Sequence, residues 1–582
     1  QGFVFLVRLD VLTSACPRMP KNGEHMRGTF SHSALSLLVM ILVTAVSSTA
    51  AVISVDDFGA RGDDAVDDTE AFRSALQAAE MRGGALVMVG AGDYHLSSTI
   101  EVPSNTHLKG EATRSTVLHV QQGFGVPLLR LHDVENVTVS HLSLIETDHE
   151  YLASGNAIDI TGQSQTILID AVYAEGFRAG FSLGADDAQQ ATIRNVTLRN
   201  CHGESARLWS FGINHAQEVQ LQNCLALRNR LDGIKLRKYA RDVTIVGGES
   251  SHNGRTGPNG NGVDGYAGGD ACVIRDLLVE HNNGSGIYIK TGPLHYDDFG
   301  HVRNGYLSGI RARYNRGSGI DLNRSGGDFI KSGEDKLPPL ASHFTISGGV
   351  FEYNEHSGIY VRGRDVSLIA PVIRRNQQHG INLASAYDVE VIGALIAGNS
   401  LGSPGSAYGI AIGADPVKGV GHRIRIRGGT ISGIDSDDIT NASDYSNLDQ
   451  ELDPTHRNAI YIAAGADHIL IDNVTMRHWT DGPHAIRSDM SDGGHLLVHY
   501  GFNGNPDAVG GPGSSLVYLD RMFIKTTSVI ETRGWEPVQT VSAGGVEDLP
   551  ANPVVGQTYF NTDRGVPLWF NGTSWIEANR AE

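Results

Sequence analysis

A six-residue phrase, Asn-x-x-x-Gly-Ile, occurs five times in this 582-residue chain, at 229–234, 282–287, 315–320, 354–359 and 376–381. After the Ile, apolar and polar residues alternate, as in Ile287-Tyr288-Ile289-Lys290. This alternation indicates a strand with one face buried and the other in water. A strand that recurs every few tens of residues is typical of a solenoid, in which equivalent residues stack coil upon coil.

The repeated Asn and Gly are assigned to the scaffold and not to chemistry. The side-chain amide of each Asn can bond to the backbone and to the Asn of the next coil, which predicts a stacked asparagine ladder in a turn. The composition agrees, because 71 glycines and an aromatic content of 7% suit short strands and tight turns better than helices.

The first fifty residues have no pattern of a solenoid. Residues 1–25 resemble no folded element, and Met26 opens a segment typical of a secretion signal. It has a basic start at Arg27, a short apolar run at 34–46 and small residues up to Ala50. The apolar run is too short for a membrane span, although a buried strand or a single anchor would give the same pattern. We expect a signal peptide at 26–50 and a secreted or periplasmic mature protein.

The predicted mature start carries a motif, Asp56-Asp57-Phe58-Gly59-Ala60, followed by further Asp and Gly residues and Asp67-Asp68-Thr69. A helix is predicted next, with an apolar stripe formed by Phe72, Ala75, Leu76 and Ala79. This stretch resembles the N-terminal segment of the pectate-lyase-like superfamily, which includes polysaccharide lyases, alginate C5-epimerases, polygalacturonases and tailspike-type depolymerases. The resemblance implies an all-β, right-handed parallel β-helix at 51–500, with the helix as its N-terminal cap.

The repeat ends near residue 500, and residues 501–582 are predicted to form a small C-terminal β module. Two aromatic stretches there flank Asn571-Gly572, which favours a hairpin. The segment resembles a module at the ends of phage tail proteins and some secreted bacterial proteins. Its aromatic residues suit a minor core, a sugar or a neighbouring chain, so a homo-oligomer formed through this module is one expectation.

The two outward positions after each Ile are small and bland at the ends of the solenoid and chemically rich in its middle. Aligned on the Ile, the middle coils place there Lys235, Arg237, Asp264, Tyr266, Tyr288, Lys290, Asp321, Asn323, Tyr360 and Arg362. The coil before them is expected to place Asn214 and Ala216 in the same two positions. With neighbouring coils about 4.8 Å apart, the rich stretch spans roughly 20 Å, the length of several sugar units.

Charge favours an anionic ligand for this groove. Four cations outnumber two Asp carboxylates in the rich stretch, although the net charge of the chain is −19. The negative total argues against general nucleic-acid binding. A groove that stays basic on an acidic protein favours an anionic ligand, and the expected partner is an acidic polysaccharide. Long insertions at 291–304 and 326–340 would wall the groove. The alternative is a solvated surface with self-compensating ion pairs, such as Lys235 with Asp264.

These residue types fit a polysaccharide lyase acting on a uronate polymer such as alginate or pectate. Removal of the proton on C5 requires a neutralised carboxylate and a base. Lys235 or Lys290 is the predicted base, with Tyr266 or Tyr288 as the proton donor. Arg237 and Arg362 are placed on carboxylates. The predicted substrate-binding set comprises Asn214, Asp264, Asp321, Asn323, Tyr360 and Arg362.

Three other activities stay open. A glycoside hydrolase would use Asp264 and Asp321, which two coils separate by roughly 9.5 Å, at the upper end of the range for inverting enzymes. A C5-epimerase would return the proton from the other face of the sugar. An adhesin would bind sugar without reaction.

The segment 211–217 resembles the active coil of alginate C5-epimerases, which reads Tyr-Gly-Phe-Asp-Pro-His-Glu. Here Phe211, Asn214, Ala216 and Arg237 stand at the family's four catalytic positions, so all four differ. Relatives often hold calcium on the substrate carboxylate. The resemblance therefore implies a calcium ion as a possible cofactor, for which the candidate ligands are Asp264, Asp270, Asp297 and Asp298.

Overall fold

A computed structural model describes the chain from residue 51 onwards, with gaps. The described residues are 51–120, 125–146, 155–184, 193–255, 260–266, 268–291, 302–323, 341–415, 419–435, 455–477, 479–480, 485–489, 495–499, 509–510, 515–519, 522–526, 542–544, 549, 558–561, 566–570 and 575–577. The predicted signal peptide and most of the predicted groove-walling insertions lie outside them.

Three long sheets of parallel strands wind along the chain, and each coil contributes one strand to each sheet. This confirms the parallel β-helix. Sheet one carries the outward positions singled out above. Its strands are Ile100–Glu101, Leu129–His132, Asn156–Thr161, Ala179–Leu183, Trp209–Ile213, Ile234–Leu236, Val263–Tyr266, Ile287–Lys290, Ile320–Asn323, Ile359–Val361, Ile381–Ala384, Ile410–Asp415, Ile460–Ile462, Ile486–Ser488 and Val509–Gly510, with Gly419–Val420 paired at its side.

Sheet two follows sheet one in each coil. Its parallel strands are Val52–Ser54, Leu86–Val89, His107–Gly110, Glu135–Ser140, Gln165–Asp170, Ile193–Arg199, Ala216–Gln222, Arg241–Val246, Val273–Arg275, Tyr306–Ser308, Ser342–Ser347, Arg364–Ile369, Tyr387–Ile392, His422–Arg427, Asp467–Asp472 and His495–His499. Two antiparallel strands, Ser515–Leu519 and Met522–Thr526, extend this sheet beyond residue 500.

Sheet three completes the coil. Its strands are Gly92–Leu96, Thr116–Val120, Ser143–Glu146, Tyr173–Glu175, His202–Glu204, Leu225–Leu227, Glu249–Ser251, Leu278–Glu280, Arg311–Arg313, Val350–Glu352, Val372–Arg374, Leu395–Ala397, Thr430–Ser432 and Thr475–Arg477. The inward residues of all three sheets form one continuous apolar core. Ile287 and Ile289 are fully buried, for example, whereas Tyr288 and Lys290 between and after them face outward and are half-buried.

The predicted helix runs from Thr69 to Met81, after a short 3-10 helix at Val55–Phe58. Its apolar stripe is confirmed, because Phe72, Ala75, Leu76 and Ala79 are all buried in the common core. The Phe72 ring meets the Tyr94 ring edge-on at 5.5 Å. At the start of the helix, the backbone N–H of Thr69 donates to Asp67 Oδ1 at 3.0 Å.

The predicted asparagine ladder is confirmed by hydrogen bonds between neighbouring coils. The side-chain amide of each Asn donates to the Oδ1 of the next at 2.7–3.0 Å. The members are Asn229, Asn253, Asn282, Asn315, Asn354, Asn376 and Asn399. Asn253 and Asn399 join it although neither stands in a copy of the repeated phrase. Beyond Asn399, His456 takes the acceptor role, since the N–H of Asn399 donates to its Nε2 at 3.1 Å.

Near the C-terminus, a separate four-stranded sheet consists of Ser542–Gly544, Thr558–Asn561, Val566–Phe570 and Trp575–Glu577. The boundary at residue 500 and the role of this segment in oligomer formation stay predictions. Among the described residues, no helix has both the length and the apolar character needed to cross a membrane.

Candidate active site

Two columns of outward side chains run along sheet one, because its strands are paired in register. The first column contains Asp159, Ser182, Gly212, Lys235, Asp264, Tyr288, Asp321 and Tyr360. The second column lies two residues further along each strand and contains Thr161, Gly184, Asn214, Arg237, Tyr266, Lys290, Asn323 and Arg362. The structure thus brings together all the residues singled out from Lys235 to Arg362.

The coil before Lys235 departs from the predicted alignment by two residues. Phe211 pairs with Ile234, so Gly212, and not Asn214, stands beside Lys235. Asn214 stands beside Arg237 in the second column, and Ala216 is a buried residue of sheet two. The predicted positions of both were therefore wrong. The cause is packing, because the Phe211 ring stacks on that of Phe181 at 4.9 Å in the core.

Lys235 lies between two buried carboxyl groups. Its Nζ is 3.0 Å from Asp232 Oδ2 and closer still to Asp264 Oδ2, and the side chains of both Asp residues are at most 5% exposed. Burial and the neighbouring Asp264 raise the pKa of Asp232 to about 6, although Lys235 opposes them. Burial alone would lower the pKa of Lys235, but the two carboxylates raise it above its ordinary value. Lys235 is therefore held as a cation, which does not support the predicted role as a base.

Lys290 lies among aromatic rings. Its Nζ is 4.6 Å from the centre of the Tyr288 ring, 5.0 Å from that of Tyr266, and 4.0 Å from Asp264 Oδ2. The amino group thus lies over the faces of two tyrosine rings, an arrangement typical of cation–π contacts. Burial raises the pKa of Tyr288, and Asp321 and Asp264 act in the same direction. Tyr288 therefore keeps its proton, which suits a donor and not a base.

Asp321 is a carboxyl group that holds a proton near neutral pH. Burial raises its pKa to about 7, against the lowering effect of Arg362, Asn323 and Lys290. We call the step between neighbouring strands of sheet one a rung. Asp321 stands two rungs from Asp264 in the first column, a separation of roughly 9.5 Å. The buried Oδ1 atoms of Asp264 and Asp321 have no hydrogen-bond partner among the described residues.

Arg362 closes the rich stretch. Its guanidinium carbon lies 5.0 Å from the centre of the Tyr360 ring, and its Nη1 is 3.5 Å from Asn323 Oδ1. The groove therefore ends in a positive charge stacked on an aromatic ring, which is suited to an anionic group on a sugar.

Sequence reasoning missed Asp232, Trp209 and two residues near Trp209, Asp159 and Arg178. Asp232 could have been found from the sequence, because it is the one acidic residue at the position before Gly-Ile, which is Ser or His in the other four copies of the repeated phrase. Trp209 had none, because the alignment of its coil was shifted. Trp209, Asp159 and Arg178 line a cavity that is described below.

The calcium candidates are not grouped in the part of the chain that the structure describes. Asp264 is paired with lysines, and Asp270 Oδ1 accepts from the N–H of Arg303 at 2.9 Å. Asp297 and Asp298 lie outside the described residues. Within those residues, one set of three ligand atoms comes together elsewhere, from His422, Asp467 and His468. Calcium therefore stays a prediction.

Three parallel sheets wound into one solenoid, with acidic, basic and tyrosine side chains in columns on one face, define a parallel β-helix protein with a polar groove. The resemblance in the sequence is confirmed by the comparison with protein families, since residues 52–292 match the family described as rhamnogalacturonase A/epimerase, pectate lyase-like.

The curated relatives include enzymes that are named for reactions on polysaccharides. Mannuronan C5-epimerase AlgE3 of Azotobacter vinelandii is 28% identical over 274 residues, which cover 45% of this chain and 14% of that protein. Alginate lyase 7 of the same organism is 27% identical over 215 residues, covering 35% of this chain and 23% of that protein. The chain thus matches less than a quarter of the length of either relative.

A solved phage structure extends the likeness of fold over more of the chain. The N-terminal fragment of gene product 12 from bacteriophage phi29 matches with a TM-score of 0.50 and 15% sequence identity. The match covers 82% of this chain and 73% of that fragment. At this identity, the likeness concerns the fold alone.

Proposed function

We propose that this protein is an enzyme that hydrolyses glycosidic bonds in an acidic polysaccharide bound along the two columns. The observation that carries the proposal is the pair formed by Asp321 and Asp264. Asp321 has a pKa raised to about 7 and can donate a proton. Asp264, two rungs away, has a lysine counter-ion. Glycoside hydrolysis requires two carboxyl groups, one that donates a proton and one that acts as a base or nucleophile.

The proposed reaction divides the work between these two groups. Asp321 gives its proton to the leaving glycosidic oxygen, while Asp264 accepts a proton from the attacking water. The oxygen of that water bonds to the anomeric carbon as the glycosidic bond breaks. A separation of roughly 9.5 Å leaves room for the water and favours inversion at that carbon. Tyr288 stands on the rung between the two carboxyl groups, beside the place where the water would lie.

The proposed substrate is a polyuronate. The second column presents Arg237, Lys290 and Arg362 along one line, which suits a polymer with regularly spaced carboxylates. The similarity to mannuronan C5-epimerases and to an alginate lyase supports the same substrate class.

A second candidate is β-elimination by a lyase. The similarity to alginate lyase 7 favours it, as does the position of Lys290 beside Tyr266 and Tyr288. In that case Lys290, and not Lys235, would be the base, with Tyr288 as the proton donor. Epimerisation has less support, because the four catalytic positions of the alginate epimerases are occupied here by other residues.

The test is incubation with alginate, pectate and glycosaminoglycans, with parallel measurement of reducing ends and of ultraviolet absorbance from unsaturated products. Hydrolysis predicts new reducing ends without absorbance. Asp321→Asn and Asp264→Asn should each abolish cleavage. Asp170→Asn, which alters a carboxyl group on sheet two, is the matched control and should cleave like the wild type.

Each other outcome contradicts hydrolysis in its own way. Absorbance that rises with the reducing ends indicates a lyase, and its loss in Lys290→Ala would identify the base. A changed proton spectrum without cleavage indicates an epimerase. No change with any polymer leaves a sugar-binding protein. For hydrolysis, activity should fall as pH rises through about 7, because Asp321 then loses its proton.

A further inference from the structure

A cavity of about 190 Å³ opens on sheet one, upstream of Lys235. The residues that give it chemical character are Asp159, Arg178, Trp209, Asn214 and Arg237. Asp159 belongs to the first column, and Asn214 and Arg237 belong to the second. The cavity is therefore continuous with the groove of the proposed active site, one to four rungs before Asp264.

Gly212 is the residue that lets Trp209 lie on the floor of this cavity. A Cβ atom at position 212 would lie 2.0 Å from Trp209 Nε1 and 2.8 Å from its Cδ1. The indole therefore covers the place that a side chain of the first column would otherwise fill. Its Nε1 is buried and has no hydrogen-bond partner among the described residues. A flat aromatic ring with an unused donor is characteristic of a ligand site.

The polar residues around Trp209 favour a negatively charged ligand. Arg178 and Arg237 contribute two guanidinium groups. Arg178 Nη1 lies 3.4 Å from Asn156 Oδ1, and the amide of Asn156 donates to Asp159 Oδ1 at 3.0 Å. Burial raises the pKa of Asp159, and the two guanidinium groups outnumber this single carboxyl group in the cavity lining. Guanidinium groups in such a setting bind carboxylates well.

We infer that this cavity is a non-catalytic subsite for one uronate residue of the polysaccharide, with the sugar ring on the Trp209 indole and its carboxylate at Arg178 and Arg237. The inference rests on the proposed function for the identity of the polymer. From Gly212 to Tyr288 there are three rungs, or roughly 14 Å. The subsite thus binds the chain several sugar units from the bond that is cleaved.

Binding can be measured apart from cleavage in the Asp321→Asn protein. Alginate oligosaccharides are titrated by calorimetry and by tryptophan fluorescence, with neutral cello-oligosaccharides as the comparison. We expect the oligouronate to change the fluorescence and the neutral sugar not to do so. Trp209→Phe should remove that change, and Trp209→Ala should weaken binding of long oligouronates about tenfold.

A glycine pair supplies a matched perturbation that leaves Trp209 in the sequence. Gly212→Ala should displace the indole and weaken binding of long oligouronates as Trp209→Ala does. Gly413 also faces outward on sheet one, but a Cβ there would meet its nearest neighbour at 3.6 Å, an ordinary contact. Gly413→Ala should therefore bind like its parent. Thermal melting of each variant shows whether it is folded. If Trp209→Ala does not fold, Trp209→Phe and the comparison of Gly212→Ala with Gly413→Ala still test the subsite.

Chain length gives a second readout in the active enzyme. Trp209→Ala should raise KM for long oligouronates about tenfold and leave kcat unchanged, whereas substrates too short to span roughly 14 Å should show no change in KM. Equal affinity for charged and neutral oligosaccharides, or an unchanged affinity in both Trp209→Ala and Gly212→Ala, would overturn the subsite. Binding that depends on Trp209 without any cleavage would overturn the proposed function and keep the subsite.

Discussion

His456 ends the asparagine ladder. Along the ladder, the backbone N–H of each Asn donates to the side-chain oxygen of the next Asn, whereas the N–H of Asn399 donates to an imidazole nitrogen of His456. Its Nε2 can accept from the N–H of Asn399 only while that nitrogen is unprotonated. The side chain is fully buried, and burial together with the neighbouring His379 lowers the pKa of His456 to about 3. We therefore expect the ladder to lose stability at this rung in acid, and His456→Gln to remove that loss.

The magnitude follows from proton linkage. In the unfolded chain a histidine takes up its proton near pH 6.5, whereas the folded protein keeps His456 neutral down to about pH 3. The native state then binds fewer protons, so stability rises with pH through this window and falls as pH drops below about 6.5. Between pH 7 and pH 5 this single group costs about 2 kcal/mol of unfolding free energy.

The assay is urea unfolding of wild type and His456→Gln at pH 7 and pH 5. Glutamine places its Oε1 about where the imidazole Nε2 lies, and it does not titrate in this range. The wild type should lose about 2 kcal/mol more than the variant between the two pH values. His379 is present in both proteins, so its own titration contributes to both. His132→Gln, at an exposed histidine, is the control. Equal losses in wild type and His456→Gln would refute the reasoning.

Two further substitutions test the interior polar groups. Lys235→Met leaves the buried Asp232 and Asp264 without the Lys235 ammonium, which should cost about 3–5 kcal/mol of unfolding free energy at pH 7. The cost should be smaller at pH 5, where Asp232 is largely protonated. Urea unfolding at both pH values measures this, and equal costs would contradict it. Asn315→Ala removes a rung that both donates and accepts in the ladder, which should cost about 3 kcal/mol, whereas the same change at the partly exposed Asn283 should cost far less. A similar loss at both asparagines would show that the ladder is not what stabilises these turns.

The repeated phrase predicted the ladder and the columns because both follow from local rules. An Asn that recurs at a fixed place meets its own copy in the next coil, and alternation decides which side chains face outward. The coil at 209–216 defeated the same rule. Phe211 and Ile213 both face inward, so either could be aligned with Ile234. Which of the two pairs with Ile234 depends on the stacking of Phe211 on Phe181, which lies on another coil.

The chemistry of the site was less predictable than its position. The sequence places a lysine at position 235, but the protonation of Lys235 depends on the carboxylates of Asp232 in its own coil and Asp264 in the next coil. Likewise, the raised pKa of Asp321 comes mainly from burial, which no single stretch of sequence reveals. The role of Trp209 depended on a glycine in the first column, where the absence of a side chain carries no signal of its own.

Because the strands are paired in register, the backbone positions of two residues in one column are separated by a whole number of rungs. Two carboxyl groups on adjacent rungs would be about 5 Å apart, as in retaining glycosidases, and groups two rungs apart approach the inverting limit. Inserting one complete coil between Lys290 and Ile320 would move Asp321 to three rungs from Asp264, roughly 14 Å. A β-helix of this kind can therefore change its stereochemical outcome by losing a coil, whereas gaining one would separate the two carboxyl groups beyond the range of either reaction, without any change in the residues themselves.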